Sequence, residues 1–183
     1  PRRALVLSTV DGGDSWQVRH QGQRADEILW KVFFPTRQVG YASVQSWIDG
    51  IGSAPDSSWV LKTTDGGLTW HEKSVRTNAF YELQGIGFIN ELVGWVGGDC
   101  CQAVTFGTTD GGDTWAPATG FGRQTPPYNT YTGYAVNRFR KFGDTLMYCA
   151  GNTIYRMDQT IASGIANAQS ESAVQVFPNP SCG

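Results

Sequence analysis

The stretch Thr-Thr-Asp-Gly-Gly-Leu-Thr-Trp, residues 63–70, indicates the architecture of the chain because its pattern occurs three times. The first copy, Thr-Val-Asp-Gly-Gly-Asp-Ser-Trp, occupies residues 9–16. The third copy, Thr-Thr-Asp-Gly-Gly-Asp-Thr-Trp, occupies residues 108–115. Three copies of one eight-residue pattern in a chain of 183 residues indicate a repeated structural unit.

Each copy predicts a tight turn between two antiparallel strands. The paired glycines supply backbone conformations with positive φ, where a side chain would clash. An aspartate at a turn accepts hydrogen bonds from backbone N–H groups just beyond it. The tryptophan opens the next strand and packs over the turn. We therefore assign a structural role to the aspartate, second glycine and tryptophan of each copy: Asp11, Gly13, Trp16, Asp65, Gly67, Trp70, Asp110, Gly112 and Trp115.

The composition limits the possible classes of protein. Lys and Arg total 14 and Asp and Glu total 16, so the net charge is −2, which argues against nonspecific binding of nucleic acid. Charged residues make up 16% of the chain, below the roughly 25% of ordinary soluble domains. No apolar run approaches the roughly 18 residues of a membrane-spanning helix. With 23 glycines and 7 tryptophans, the composition favours an all-β protein of short strands and tight turns.

The repeated pattern resembles the Asp-box, or BNR repeat, of sialidases, sortilin-type receptors and photosystem II assembly-factor propellers. The last group places a glycine-aromatic-small strand before each box, and residues 40–44 and 94–98 are similar to that strand, with residues 147–151 as a degenerate copy. The resemblance covers about residues 1–158. It implies a β-propeller whose blades each contain four antiparallel strands.

The repeat spacing gives the blade boundaries. We predict the two outer strands of one blade in residues 4–20, whole blades in 28–75 and 82–118, and three strands of a fourth blade in 135–158. A propeller typically needs about four to eight whole blades to close its ring. The segment is therefore predicted to be the C-terminal part of a larger propeller, and a ring completed by a second chain is the alternative.

The same spacing locates two enlarged connections, within residues 44–59 and within residues 119–133. In a propeller blade of four sequential antiparallel strands, both of these connections lie on the face of the disc opposite the Asp-box turns. Long loops on a rigid framework are where binding usually resides. We predict a ligand-binding surface on this face, with no metal or cofactor. Its candidate residues are Trp47, Asp49, Trp59, Asp99, Arg123, Tyr128 and Tyr131.

The four cysteines allow two interpretations, a disulfide or free thiols. Cys100 and Cys101 are adjacent and do not easily pair with each other. One of them, with Cys101 as the candidate, is in position to pair with Cys149, and buried free thiols are the alternative. The spacings are typical of neither a zinc site nor a redox motif.

The C-terminal tail carries a second resemblance. Residues 159–173 are small and polar and are predicted to form a linker. Residues 174–183 contain Val-Phe-Pro-Asn-Pro, which resembles the truncated start of the C-terminal sorting domain of type IX secretion cargo. That resemblance implies recognition by the type IX machinery and a secreted or outer-membrane, cell-surface location. An edge strand ended by a Pro-Asn-Pro turn is the alternative.

The pattern of acidic residues gives no catalytic assignment. The turn aspartates recur identically in each copy, whereas catalytic groups are normally unique within a site. The arginine clamp that a sialidase needs for its substrate carboxylate is not found, since Arg138 and Arg140 lie on one strand face. A glycoside hydrolase needs two carboxylates across its substrate, and Asp49, Asp56 and Asp99 are the loop candidates.

These observations predict a binding or adhesion scaffold, not an enzyme, whose partner is a protein or carbohydrate at the cell surface. The first alternative is a cell-surface glycoside hydrolase, sialidase-like or xyloglucanase-like, with its catalytic residues largely upstream. The second alternative is an assembly factor for a membrane complex, which follows from the resemblance to the photosystem assembly propellers.

Overall fold

Only β-strands form the regular secondary structure in the part of the chain that the computed structural model describes. That part comprises residues 3–24, 27–46, 57–77, 83–98, 105–118, 136–150, 153–157 and 176–178. None of these residues belongs to a helix long and apolar enough to span a membrane. The strands are β1 (Leu5–Ser8), β2 (Gln17–Gln21), β3 (Glu27–Phe33), β4 (Gly40–Ser46), β5 (Ser57–Thr63), β6 (His71–Thr77), β7 (Leu83–Phe88), β8 (Gly94–Gly98), β9 (Thr105–Thr108), β10 (Ala116–Pro117), β11 (Arg140–Phe142), β12 (Thr145–Ala150), β13 (Thr153–Met157) and β14 (Val176–Pro178).

The strands form four antiparallel sheets in which each strand pairs with its neighbour in sequence. Sheet one contains β1 and β2, sheet two β3 to β6, sheet three β7 to β10, and sheet four β11 to β14. The Asp-Gly-Gly stretches join β1 to β2, β5 to β6 and β9 to β10, so each copy links the last two strands of its sheet. The predicted all-β class with four-stranded antiparallel sheets is confirmed.

Sheets two and three pack face to face through the largest of the described clusters of buried side chains. Tyr41 on β4 and Val60 on β5 meet Ile86 and Phe88 on β7 and Phe106 on β9 in one buried cluster. The Tyr41 and Phe88 rings are stacked, with centroids 3.8 Å apart and an angle of 9° between the ring planes. Stacked aromatic pairs contribute about 0.5–1.5 kcal/mol beyond the burial of their area. Contacts of this kind fix the position of one sheet relative to the next.

Two smaller clusters continue the same face-to-face packing. One lies between sheets one and two, where Val6 of β1 packs against a cluster that contains Leu61 and Trp70. The other lies between sheets three and four and contains Trp95 and Leu146. The four sheets are therefore stacked in the order in which they occur along the chain.

The backbones of sheet three and of the segment that leads into sheet four approach each other beside Gly85. Its N–H donates a hydrogen bond to the carbonyl oxygen of Val136, which leads into sheet four, at 3.1 Å. A Cβ at position 85 would lie 2.4 Å from that same oxygen, so the approach requires glycine. The absence of a side chain here allows the backbones of sheets three and four to make direct contact.

The end of the chain differs from the sequence prediction. The repeat spacing predicts thirteen strands, and the structure describes fourteen. The additional strand is β14, in which Val176–Pro178 pairs with Thr153–Tyr155 of β13. This placement is the edge strand that the sequence left open as an alternative. Pro178, whose nitrogen has no hydrogen to donate, lies at the end of a strand at the sheet's outer edge. The interpretation of residues 174–183 as a sorting segment stays a prediction.

Candidate interaction site

The Asp-Gly-Gly turn of sheet two is held by six side-chain hydrogen bonds, the longest of which runs from the Asp65 N–H to the Thr63 hydroxyl at 3.4 Å. The Thr63 hydroxyl donates to Asp65 Oδ1 at 2.8 Å and accepts from the Gly67 N–H at 2.9 Å. Thr69 donates its N–H to Asp65 Oδ1 at 2.9 Å and its hydroxyl to Oδ2 at 2.5 Å. The Trp70 indole N–H donates to the Gly67 carbonyl at 3.1 Å. Both carboxylate oxygens of Asp65 are thus used to fix the turn.

The turns of sheets one and three repeat this arrangement. Asp11 accepts from Thr9 and Ser15, and Asp110 accepts from Thr108 and Thr114. Both glycines of every copy have positive φ, between 72° and 108°. Hydrogen bonds to its charged form lower the pKa of Asp65 far below the usual range. The structure therefore places these aspartates in the turns as ionised hydrogen-bond acceptors.

The third turn is also anchored to the preceding sheet. The Tyr41 hydroxyl donates to the Gly111 carbonyl at 2.8 Å, and Lys62 Nζ donates to the same oxygen at 2.6 Å. Lys73 Nζ lies 2.6 Å from Asp113 Oδ1. Burial is the main cause of a raised Tyr41 pKa, which keeps its hydroxyl protonated and able to donate. These contacts serve the packing of sheet three on sheet two.

Trp59 does not have the loop position that its sequence context predicted. β5 begins at Ser57, so Trp59 lies within a strand, and its side chain is buried. The Arg24 guanidinium covers the indole at 3.9 Å from the ring centroid. Arg24 also forms a two-pronged ion pair with Glu72, at 2.7 and 3.1 Å, and contacts Glu27 at 3.1 Å. The predicted loop position of Trp59 is therefore wrong, because residue 59 lies within β5 and its ring is buried, and its ligand-binding role stays a prediction.

A different tryptophan is presented to solvent on β3. Trp30 is the extra residue of a β-bulge, since the register of β3 on β4 shifts between Leu29 and Lys31. A bulge re-aims a side chain relative to the regular alternation of a strand. The Trp30 ring is about half exposed, and its indole N–H donates to Gln45 Oε1. The bulge thus combines an exposed aromatic surface with a fixed orientation.

The partner of Trp30 belongs to a buried polar network between sheets two and three. Gln45 is almost fully buried, and its Oε1 also lies 3.5 Å from Gln84 Nε2. The Ser43 hydroxyl donates to the Gln84 carbonyl. Ile28, which pairs with Gln45 across the strands, is exposed beside this network. We call Ile28, Trp30, Gln45 and Gln84 the candidate interaction site.

β4, the strand that precedes Trp47 and Asp49 in sequence, ends beside this site. Glu27 pairs with Ser46 at the end of β4, where the connection that contains Trp47 and Asp49 departs. Six of the seven predicted ligand-binding residues lie outside the described part of the chain: Trp47, Asp49, Asp99, Arg123, Tyr128 and Tyr131. Cys101 also lies outside it, so its disulfide with Cys149 stays a prediction. Within the described residues no group of three His, Cys, Asp or Glu side chains is placed to hold a metal ion.

The sequence contained a signal for Trp30 that periodicity alone does not reveal. Residues 28–34 read Ile-Leu-Trp-Lys-Val-Phe-Phe, a nearly continuous apolar run typical of a buried strand. Alignment of the repeats places Trp30 at the position of Gln84, which is the bulge residue between Leu83 and Gly85 of β7. Trp30 is a large aromatic residue at the position where the next repeat has the polar Gln84. This difference between the repeats was the indication in the sequence that Trp30 has a distinct role.

No family model matches the chain, and no curated protein matches it. Among solved structures, the chain is similar to YCF48 from Cyanidioschyzon merolae, with 11% identity and a TM-score of 0.51, over 96% of this chain and 53% of that one. It is also similar to YCF48 bound to D1 peptide, with 20% identity and a TM-score of 0.47, over 70% of this chain and 35% of that one. The chain thus spans about half and about a third of these structures.

The first of these similarities shows the fold alone. Together with sheets of four antiparallel strands stacked in chain order, it confirms the predicted β-propeller fold and the repeated nature of the chain. A fold by itself does not define an activity.

Proposed function

We propose that the chain is an interaction scaffold that binds a partner protein at the candidate interaction site. The observation that carries this proposal is Trp30, an aromatic side chain that is half exposed and yet oriented by a buried hydrogen-bond partner. Aromatic anchors of this kind contribute most of the binding energy in protein interfaces. A side chain fixed before binding also loses less conformational entropy when the partner docks.

The chemistry around Trp30 favours a protein segment over a carbohydrate. Ile28, two residues before Trp30 on β3, is also exposed, and Lys31 Nζ lies 5.5 Å from the centroid of the Trp30 ring. An aliphatic side chain on the same strand as an aromatic one fits an apolar side chain of a partner better than a hydroxylated sugar. The Lys31 ammonium group also attracts an acidic side chain or a carbonyl oxygen of the partner at the edge of this contact.

The role of the three turns belongs to the same proposal. We infer that they are Asp-boxes, whose carboxylates maintain the framework and do not act on a substrate. Support comes from Asp11, Asp65 and Asp110, each of which accepts bonds from the residues that flank it in sequence. A framework of this kind would hold the strands of the candidate interaction site rigid.

Retention of partner proteins by purified variants tests the proposal. The wild-type chain, Trp30→Ala and Leu68→Ala are immobilised and exposed to an extract of the producing organism, and retained proteins are quantified by mass spectrometry. Leu68 is a matched control because it is also exposed but lies in the turn of sheet two. We expect at least one protein to be retained by wild type and by Leu68→Ala. The same protein should bind Trp30→Ala about tenfold or more weakly.

The outcome also separates the alternatives. Retention that is the same for all three chains would contradict the proposed site. If the Trp30-dependent protein is a subunit of one membrane complex, the assembly-factor interpretation is favoured. Glycan turnover that is lost on Asp49→Asn or Asp99→Asn, with no Trp30-dependent partner, would instead favour the glycoside hydrolase.

Location at the cell surface and export by the type IX system are part of the proposal as well. Their support is the resemblance of residues 174–183 to the start of a sorting domain. A surface location would make an adhesion partner, a protein or carbohydrate of the cell surface, available to the candidate interaction site.

A further inference from the structure

The bulge that presents Trp30 has a counterpart in the next sheet. The register of β7 on β8 shifts between Leu83 and Gly85, which makes Gln84 the extra residue of a bulge. Trp30 has the equivalent place on β3. The two bulge residues differ in exposure, because Trp30 is 42% exposed and Gln84 is 8% exposed. Trp30 is therefore available to a partner, whereas Gln84 is buried.

A side-chain bridge joins the two bulge residues. The Trp30 indole N–H donates to Gln45 Oε1, and Gln84 Nε2 lies 3.5 Å from the same oxygen. The amide of a glutamine has an acceptor oxygen at one end and a donor nitrogen at the other, whereas an indole N–H only donates. Gln84 therefore favours the one orientation of the Gln45 amide that accepts a hydrogen bond from Trp30.

A second bridge runs through the backbone beside the same residues. Lys31 follows Trp30 directly in the chain, and its N–H donates to the Ser43 hydroxyl at 3.2 Å. That hydroxyl donates in turn to the Gln84 carbonyl. Ser43 is fully buried and Gln45 almost so, and both lie on β4. Two buried polar side chains of one strand thus connect the bulge of sheet two to the bulge of sheet three.

The junction between sheet three and sheet four is built differently. The register of the strand pairs makes Gly97 the counterpart of Ser43. At that junction the Gly85 N–H, the counterpart of the Lys31 N–H, donates directly to the Val136 carbonyl at 3.1 Å. A Cβ at Gly97 would lie 2.5 Å from that carbonyl oxygen, so a serine has no space there. The Ser43 hydroxyl is thus a spacer that belongs to the junction of sheets two and three.

We propose that Ser43 and Gln84 are positioning residues for Trp30, so that the candidate interaction site is formed by the packing of sheet two on sheet three. Ser43 connects the two bulges through its hydroxyl, Gln84 orients the Gln45 amide, and that amide orients the indole. Neither positioning residue touches the partner, since each acts through another group. The inference rests on the proposed function for its effect on binding, whereas its effect on Trp30 is measurable in the unbound chain.

The value of these bridges follows from the exposure of the Trp30 ring. An exposed side chain samples several rotamers unless an interaction selects one of them. The hydrogen bond to Gln45 selects one rotamer of Trp30, and it does so only while the amide oxygen faces the indole. Without the Gln84 amide, more of the conformational entropy of Trp30 would be lost at the moment of binding, and the affinity for the partner would fall.

NMR signals of the indole N–H groups in the full chain test this inference. The Trp30 signal is assigned by its loss in Trp30→Ala. Gln84→Met removes the amide from an unbranched side chain of similar length, and we expect the Trp30 N–H to exchange with solvent about threefold or more faster than in wild type. Gln38→Met makes the same substitution at an exposed glutamine of the β3–β4 connection and should leave the Trp30 signal unchanged.

Two other tryptophans show whether the change is local. The indole N–H groups of Trp70 and Trp115 donate to carbonyl groups within their own turns. Their signals should be unaltered in Gln84→Met. The same holds for Ser43→Ala, which removes the second bridge and should also speed the exchange at Trp30. A general loss of folding would instead change all three signals, so the measurement separates positioning from stability.

Binding gives the second readout. The protein whose retention depends on Trp30 should bind Gln84→Met about threefold or more weakly, and it should bind Gln38→Met as it binds wild type. Wild-type exchange at Trp30 in Gln84→Met, or equal changes at all three tryptophans, would overturn the inference. So would undiminished binding of the Trp30-dependent protein to Gln84→Met. Faster exchange at Trp30 alone, with no Trp30-dependent protein in the extract, would support the positioning role and contradict the proposed function.

Discussion

At the scale of single residues, the charge of Asp110 shows how the turns depend on ionisation. Burial raises its pKa, but hydrogen bonds from Thr114 and Thr108 to the carboxylate outweigh that effect. The result is a pKa lowered from 3.8 to about 2. Because the charged carboxylate accepts these bonds more strongly than the protonated acid does, the folded state binds the proton less readily than the unfolded chain does.

This shift predicts a loss of stability in acid. The folded pKa is below the unfolded one, so the stabilisation is complete above about pH 4 and is lost as the pH falls toward about 2. Urea unfolding of wild type and Asp110→Asn across that range measures it. We expect the difference in free energy of unfolding between the two proteins to shrink as the pH falls. A difference that does not change with pH would contradict the assigned role.

At the scale of one element, the threonine that opens each turn links the carboxylate to the backbone. Thr63 is fully buried, donates to Asp65 and accepts from the Gly67 N–H, which has no other described acceptor. The turn is therefore closed by one hydroxyl that acts in both directions. The corresponding residues, Thr9 and Thr108, do the same in the other two copies.

Replacement of Thr63 by valine, which has the same shape, should destabilise the protein by about 1–3 kcal/mol, the cost of a buried donor without an acceptor. Chemical denaturation of Thr63→Val and of the neighbouring, exposed Thr64→Val provides the comparison. The control should unfold at the wild-type denaturant concentration. Equal stability of the two variants would show that the hydroxyl does not hold the turn.

At the scale of the whole molecule, the sheets are joined by a few specific contacts between sequential neighbours. Arg24 follows sheet one and joins Glu72 and Trp59 of sheet two, and Tyr41 of sheet two holds the turn of sheet three through Gly111. Each contact crosses from one repeat to the next. The stack of sheets therefore has a defined direction along the chain.

Export is a property of the whole molecule, and it has a direct test in a bacterium with a type IX secretion system. The double variant Pro178→Ala and Pro180→Ala alters the motif that resembles the sorting domain, and Gln175→Ala changes a residue just before it. If the proposal holds, external protease cleaves the wild-type protein and the Gln175→Ala variant on intact cells, whereas the double variant is protected inside the envelope. Equal cleavage of all three would remove the support for a sorting role.

The candidate site was predictable only in part. The sequence predicted a binding face from the insertions that repeat spacing locates, and six of the seven residues of that prediction lie outside the described part of the chain. It predicted a loop position for Trp59, because it gave no sign that the guanidinium of Arg24, 35 positions earlier in the chain, covers the Trp59 ring. It missed Trp30, since the bulge that turns this side chain outward appears only in the pairing of β3 with β4.

By itself, the sequence determined the turns and therefore the fold class. Every hydrogen bond within an Asp-Gly-Gly turn joins residues no more than four positions apart, so eight residues contain the whole arrangement. Tertiary structure decided which aromatic residues are exposed. Phe34 and Phe88 occupy equivalent positions in two repeats, yet only Phe88 is covered, because burial depends on the neighbouring sheet and not on the repeat itself.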